Sequence, residues 1–170
     1  DGKTDIAVWR PGNGVWYIRP SAAPGSYTTT AWGTASDIAV SGDYDGDGKV
    51  DIAVWRLGNG VWYIRPSGSE GFTSTRWGMS GDVPVTGDYD GDGKTDLAVR
   101  RSTNGTWYIL KSSEDGSYIN TPWGASTDVA VPCDYDADGK TDIAVWRPDS
   151  GTWYVRPSGT SGTHTATAWG

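Results

Sequence analysis

Polar and hydrophobic residues alternate along this chain in short runs, and glycine or proline separates each run from the next. Residues 37–78 contain four such runs, which read DIAVSGD, DIAVWR, VWYIRPS and FTSTRWG. β-Rich runs of this length joined by glycine-bearing turns predict a four-stranded antiparallel meander. The turn GNG at residues 58–60 ends in Asn-Gly, which is a strong hairpin signal. The segment therefore predicts one small sheet whose strands are consecutive in sequence.

The second run, DIAVWR, predicts a strand that is apolar on both faces. Alternation with a period of two places Ile52 and Val54 on one face and Ala53 and Trp55 on the other. Because both faces are apolar, we expect another layer of the protein to cover each side of this sheet.

The pattern recurs because the chain consists of four copies of one unit. The lysines of the recurring phrase DGK are separated by 46, 45 and 46 residues. Residues 1–21 match residues 47–67 at 19 of 21 positions. The chain is predicted to be a single repeat domain, 1–170, with repeats at 1–33, 34–78, 79–124 and 125–170, of which the first lacks its first strand.

Stacked copies of a small sheet predict an all-β fold, namely a β-propeller of four-stranded antiparallel blades. Each copy would cover apolar faces that its neighbours cannot bury alone. The repeats could form a four-bladed ring or a partial propeller completed by assembly. An open β-solenoid and a stack of separate hairpins are the alternatives, although the repeat is long for one solenoid coil.

The phrase GDYDGDGKVD at residues 42–51 has the composition of a calcium loop. Counted from Asp43, carboxylates occupy positions 1, 3, 5 and 9, glycine occupies position 6, and Lys49 offers its carbonyl at position 7. A hard cation that takes six to eight oxygen ligands suits this set, which indicates calcium. Zinc would require histidine or cysteine ligands, and the chain has one of each.

The chain carries three complete copies of this loop, so we expect about three calcium ions. The predicted ligands are Asp43, Asp45, Asp47, Lys49 and Asp51; Asp88, Asp90, Asp92, Lys94 and Asp96; and Asp134, Asp136, Asp138, Lys140 and Asp142. A fourth, truncated loop keeps only Asp1 and Asp5, and its site is expected to be weak or empty. Three calcium ions would change the formal net charge from -7 to -1, so most of the acidity belongs to these loops.

The succession GDYDGDG, KTDIAV and NGxWYI resembles the FG-GAP or VCBS (integrin-type) repeat, and the resemblance covers all four repeats. It implies a propeller in which a calcium loop links the first two strands of each blade and calcium has a structural role on the rim. Rings of that family usually have seven blades. Members bind proteins, hold sugars between blades, or serve as accessory modules of secreted enzymes, which implies an extracellular or cell-surface location.

Three tryptophan columns run through the repeats, and Arg100 alone interrupts them. Packing between blades is the favoured interpretation of these columns. The alternative is carbohydrate binding, in which exposed aromatic faces stack on sugar rings and arginine holds hydroxyl groups. The candidate ligand-binding residues on the third strands are Tyr17, Arg19, Tyr63, Arg65, Tyr154 and Arg156.

Composition excludes several function classes. The negative charge argues against nucleic acid as a partner, and no apolar run of about 18 residues could insert into a membrane. His164, the single histidine, has no repeated partner and is expected to be exposed, so no catalytic residues are predicted. Cys133 replaces the glycine of sister repeats and is expected to be small and buried.

The sequence thus predicts a non-enzymatic, calcium-stabilised, secreted module that recognises carbohydrate or a surface glycoprotein. One alternative is a structural or assembly module that self-associates through unpaired edge strands. A weaker alternative is a calcium-dependent enzyme that acts on polysaccharides.

Overall fold

The computed structural model describes residues 3–160 and 162–169. The described chain is all-β apart from one 3-10 turn at Pro148–Ser150, and its strands form four antiparallel sheets. The strands of the first two sheets are β1 (Ile6–Arg10), β2 (Val15–Arg19) and β3 (Thr28–Ala31), then β4 (Asp37–Ala39), β5 (Ile52–Arg56), β6 (Val61–Arg65) and β7 (Thr73–Arg76). Those of the last two are β8 (Asp82–Pro84), β9 (Leu97–Arg101), β10 (Thr106–Leu110) and β11 (Tyr118–Pro122), then β12 (Val129–Ala130), β13 (Ile143–Arg147), β14 (Thr152–Arg156) and β15 (Thr165–Ala168).

Each sheet is one blade of a four-bladed β-propeller, which confirms the predicted fold class. Within a blade the strands pair in sequence order, as in β4-β5-β6-β7, and the first blade has three strands. The four blades are numbered 1 to 4 in chain order. Strands are shorter than the predicted runs, and proline directly follows β1, β2, β6, β13 and β14.

The core lies between the blades, and it buries both faces of the second strands. Ala53, Val54 and Trp55 of β5 are at most 1% exposed, as the alternation predicts. In β1, Val8, the equivalent of Val54, is 53% exposed and Ile6 on the same face is 68% exposed, because no blade in the described structure covers that face. The prediction of two covered faces therefore holds for the internal blades and fails for the first one.

The tryptophan columns pack between blades, which confirms the favoured interpretation. Trp55, Trp62 and Trp107 are completely buried. At each of the three blade boundaries, an indole N–H at the end of a fourth strand donates to a tyrosine carbonyl of the next blade. These bonds are Trp32 to Tyr63 (3.1 Å), Trp77 to Tyr108 (3.1 Å) and Trp123 to Tyr154 (3.4 Å).

An aromatic ring of the following blade also packs against each of these indoles. The pairs are Trp32 with Phe72, Trp77 with Tyr118 and Trp123 with His164, at centroid distances of 5.4, 5.5 and 5.4 Å. His164 is exposed, as expected, and its ring contact is part of the boundary between blades 3 and 4.

Arg100 occupies the tryptophan position of β9 and is only 2% exposed. Its Nη1 donates to the Asp128 carbonyl at 3.1 Å and its Nη2 donates to the Ala125 carbonyl. Its buried Nε has no hydrogen-bond partner among the described residues. Burial lowers the pKa of Arg100, because the charged form has lost its hydration.

We expect Arg100→Trp to raise the free energy of unfolding by about 1–2 kcal/mol. The substitution removes a buried charge with an unsatisfied N–H and introduces the tryptophan that packs at this position in the sister blades. The neighbouring Arg101→Ala is the matched control. It leaves Asp82 buried without its ion-pair partner, and stability should fall by about 2–3 kcal/mol. Urea unfolding at fixed calcium measures both changes, and an Arg100→Trp variant less stable than the parent would contradict the first.

Candidate metal centres

The acidic loops join the first two strands of blades 2, 3 and 4, and a backbone pair closes each of them. We name them loop 2 (residues 42–51), loop 3 (87–96) and loop 4 (133–142). In loop 2 the Asp51 N–H donates to the Gly42 carbonyl at 2.7 Å, and loops 3 and 4 have the same closure at 2.8 Å. Gly46 and Gly48 both have φ of 81°, a conformation that glycine adopts without strain.

Each loop brings together three carboxylates, those at positions 1, 3 and 9. Within each group, one carboxylate oxygen from every residue lies within 4.8 Å of the others. The groups are Asp43, Asp45 and Asp51; Asp88, Asp90 and Asp96; and Asp134, Asp136 and Asp142. Three hard oxygen donors of like charge in one small space fit a calcium ion.

Hydrogen bonds from backbone N–H groups orient the carboxylates at positions 1 and 9. Asp43 accepts from the N–H groups of Gly46 and Gly48, at 2.7 and 2.8 Å. Asp51 accepts from Tyr44 N–H at 2.9 Å and from Ser67 N–H at 2.7 Å. Backbone N–H groups therefore hold both carboxylates in place, and these hydrogen bonds can persist when a cation binds.

Burial raises the pKa of Asp51 and of Asp96, even though each carboxylate accepts two backbone hydrogen bonds. The charges of Asp43 and Asp45 raise the pKa of Asp51 further, and Asp90 has that effect on Asp96. A cation among these carboxylates would offset both burial and repulsion.

The position-5 carboxylates lie outside the three groups and accept a serine hydroxyl from the end of the third strand. The bonds are Ser67 to Asp47 (3.0 Å), Ser112 to Asp92 (2.9 Å) and Ser158 to Asp138 (2.6 Å). The N–H groups of Lys49, Lys94 and Lys140 donate to the same aspartates at 2.9, 2.8 and 2.8 Å. Hydrogen bonds from the backbone N–H of Lys49 and from the Ser67 hydroxyl lower the pKa of Asp47.

The truncated loop of blade 1 shows no such group among the described residues. Asp5 is exposed and accepts from Ser21 N–H at 2.8 Å. Asp1 lies outside the described residues, so a weak or empty site there stays a prediction.

The profile of the FG-GAP-like repeat family matches residues 1–54, 43–99 and 88–145. The chain belongs to this family. The match confirms the resemblance found in the sequence. Comparison with curated proteins gives no match.

FG-GAP repeats are typical of extracellular and surface proteins and generally form binding or structural modules. No helix in the described residues is long and apolar enough to cross a membrane.

Sequence analysis missed the residues that hold the FG-GAP loops against the blades. One tyrosine per complete loop, Tyr44, Tyr89 or Tyr135, donates its hydroxyl to a carbonyl at the end of the first strand, and for Tyr89 and Tyr135 the distances are 2.6 and 2.7 Å. The serines at the ends of the third strands were missed as well. Both recur at one position of every complete repeat, and this recurrence was the available signal.

The predicted carbohydrate-binding tyrosines lie beneath arginines of the adjacent strand. The guanidinium carbon of Arg56 is 4.4 Å from the Tyr63 ring centroid, and Arg10 and Arg147 cover Tyr17 and Tyr154 at 4.3 and 4.5 Å. Arg56 and Arg147 also pair with the buried Asp37 and Asp128 at 2.9 Å. Arg65 and Arg156 are half-buried, and the exposed Arg19 donates to the Pro24 carbonyl at 2.6 Å. Ligand binding by these residues stays a prediction.

A groove of about 360 Å³ lies between blades 2 and 3. Thr73 and Thr75 line it on the blade 2 side, and Lys94, Lys111 and Asp115 line it on the blade 3 side. Lys94 also belongs to loop 3, so the groove and a candidate metal centre share a residue. A second groove, of about 430 Å³, lies between blades 3 and 4 and is lined mainly by apolar residues.

Cys133 is exposed, so the prediction that it is buried was wrong. The glycine positions of the sister loops pack against the next blade. A Cβ on Gly42 would lie 2.6 Å from Thr95 Oγ1, and one on Gly87 would lie 2.6 Å from the Thr141 side chain. Position 133 tolerates a side chain because no described residue of a following blade packs there.

Proposed function

We propose that this FG-GAP-like propeller is a secreted, non-enzymatic module whose loops 2, 3 and 4 each bind calcium and which recognises carbohydrate or a surface glycoprotein. The observation that carries the proposal is the recurrence of one three-carboxylate group in three loops. Carboxylates this close together repel one another, and a divalent cation bound between them removes the repulsion. Calcium then clamps the hairpin between the first two strands of each blade.

The groove between blades 2 and 3 supports the carbohydrate part of the proposal. Its lining includes three threonines, two lysines and one aspartate, which are residue types that bind sugar hydroxyls or acidic sugars. Since Lys94 lies both in the groove and in loop 3, calcium orders part of the binding surface. Tyr17, Arg19, Tyr63, Arg65, Tyr154 and Arg156 remain a second set of candidate contacts.

A glycan array in millimolar calcium, repeated after chelation, tests this proposal. We expect selective binding that chelation abolishes and that Lys111→Ala weakens. Glu114→Ala is the matched control, because it removes the partner of Lys111 at 3.8 Å without changing a residue that lines the groove. If the folded, calcium-loaded protein binds no glycan, or if both variants lose binding equally, carbohydrate recognition in this groove is excluded.

A second candidate function, assembly, is favoured by the exposed faces of the first and last blades. Ile6 and Val8 are exposed on blade 1, and Trp169, which corresponds to the boundary tryptophans, is 78% exposed on blade 4. β1 is also an edge strand of its sheet. We propose that blade 4 of one molecule packs on blade 1 of a second copy.

Light scattering during size-exclusion chromatography tests this assembly under reducing conditions that keep Cys133 a thiol. We expect a concentration-dependent dimer or larger species, and a monomer for Trp169→Ala. A monomer at every concentration would exclude self-association.

A further inference from the structure

The acidic loops contact one another across the blade boundaries through their backbones. The Thr95 N–H of loop 3 donates to the Asp43 carbonyl of loop 2 at 2.6 Å. The Thr141 N–H of loop 4 donates to the Asp88 carbonyl of loop 3 at the same distance. The loops therefore form a continuous series, 2 to 3 to 4, rather than three separate structures.

Each of these hydrogen bonds links residues that belong to two candidate metal centres. Asp43 is position 1 of loop 2. The Thr95 N–H belongs to the same peptide group as the Lys94 carbonyl, which the sequence assigns as the position-7 ligand of loop 3. A cation on a carbonyl oxygen polarises the whole peptide group and makes its N–H a stronger donor. Asp43, which supplies a carboxylate to loop 2, thus accepts a hydrogen bond from the Thr95 N–H. Calcium in loop 3 would polarise the peptide group that carries this N–H.

Side-chain packing makes a second connection between the same loops. Thr95 packs against Gly42, and the stem of Lys94 lies over Gly46, where an added Cβ would be 3.0 Å from Lys94 Cε. Thr141 and Lys140 repeat both contacts on Gly87 and Gly91. Ordering of one loop therefore restricts the backbone of the preceding loop on both sides of its position-1 and position-3 carboxylates.

We infer that calcium binding is positively coupled between adjacent loops, from loop 2 to loop 3 and from loop 3 to loop 4, through the Lys94-Thr95 and Lys140-Thr141 peptide groups. This inference rests on the proposed calcium function. Coupling of this kind is reciprocal, so calcium in either loop of a pair tightens binding in the other. Among the described residues, loops 2 and 4 share no such contact, so they communicate only through loop 3.

Calcium titration in competition with a chromophoric chelator tests the coupling with two equivalent substitutions. Asp136→Ala removes the position-3 ligand of the terminal loop 4 and leaves two adjacent sites. Asp90→Ala removes the same ligand from the central loop 3 and leaves two sites that do not touch. We expect cooperative binding in the wild type and in Asp136→Ala, with the second ion bound about 5- to 10-fold more tightly than by an isolated loop. In Asp90→Ala the two remaining sites should titrate independently.

Gly42→Ala gives a second variant in which every ligand is retained. Its Cβ would displace Thr95, so coupling between loops 2 and 3 should disappear, whereas Cys133→Ala at the equivalent position of loop 4 should leave it intact. Three independent sites in the wild type, or persistent cooperativity in Asp90→Ala, would overturn the coupling and leave calcium binding itself supported. Absence of calcium binding would overturn both this inference and the proposed function.

Discussion

Removal of calcium should lower the unfolding temperature of this propeller by about 10 °C. At about 1 mM free calcium and a dissociation constant of about 0.1 mM, each site stabilises the folded state by about 1.4 kcal/mol. Three sites then contribute about 4 kcal/mol, and a domain of this size shifts by roughly 2–4 °C for each kcal/mol. Thermal unfolding followed by circular dichroism, with calcium and then with excess chelator, measures the shift.

The matched control for chelation is the combined variant Asp45→Ala, Asp90→Ala and Asp136→Ala. It lacks one ligand in each loop, so its unfolding temperature should not respond to calcium. An unfolding temperature of the wild type that chelation leaves unchanged would contradict a stabilising role for calcium.

The second large effect is expected for Gly60→Ala, in the turn between β5 and β6. A Cβ at this position would lie 2.3 Å from the Gly78 carbonyl oxygen, and the backbone φ of 69° is itself unfavourable for alanine. Because the Gly78 carbonyl belongs to the backbone, it cannot move away cheaply. We expect the free energy of unfolding to fall by about 3 kcal/mol or more, as measured by urea unfolding in calcium.

Gly58→Ala, two residues earlier in the same turn, provides the comparison. An added Cβ there has no atom within 4 Å, so stability should change by less than about 0.5 kcal/mol. Equal stability of the two variants would show that the contact between the turn and the end of the fourth strand is unimportant.

The fold could be predicted from sequence because repetition converts long-range packing into a local pattern. The apolar residues on both faces of DIAVWR required a covering layer, and the repeats themselves supplied it. The same logic identified the tryptophan columns as packing between blades. The sequence could not show that Ile6 and Val8 are exposed, because burial of a strand's face depends on the presence of a neighbouring blade and not on the strand's own residues.

The candidate site was predicted in part. The acidic spacing identified the three carboxylate groups, since the ligands of each group lie within one short loop. Asp47 stays a predicted ligand, and the sequence did not show that its carboxylate also accepts the Ser67 hydroxyl. That contact joins residues 20 apart, and its existence depends on the register of β5 and β6, which a local motif does not specify. For the same reason, the sequence did not show that arginines of the second strands cover the tyrosines of the third strands.

Isothermal titration calorimetry of the metal-free chain measures whether loops 2, 3 and 4 each bind one calcium ion. We predict three calcium ions per chain, and none for the variant that lacks Asp45, Asp90 and Asp136. Absence of calcium binding by the folded wild type, or the same stoichiometry in wild type and variant, would show that these three carboxylate groups are not calcium sites.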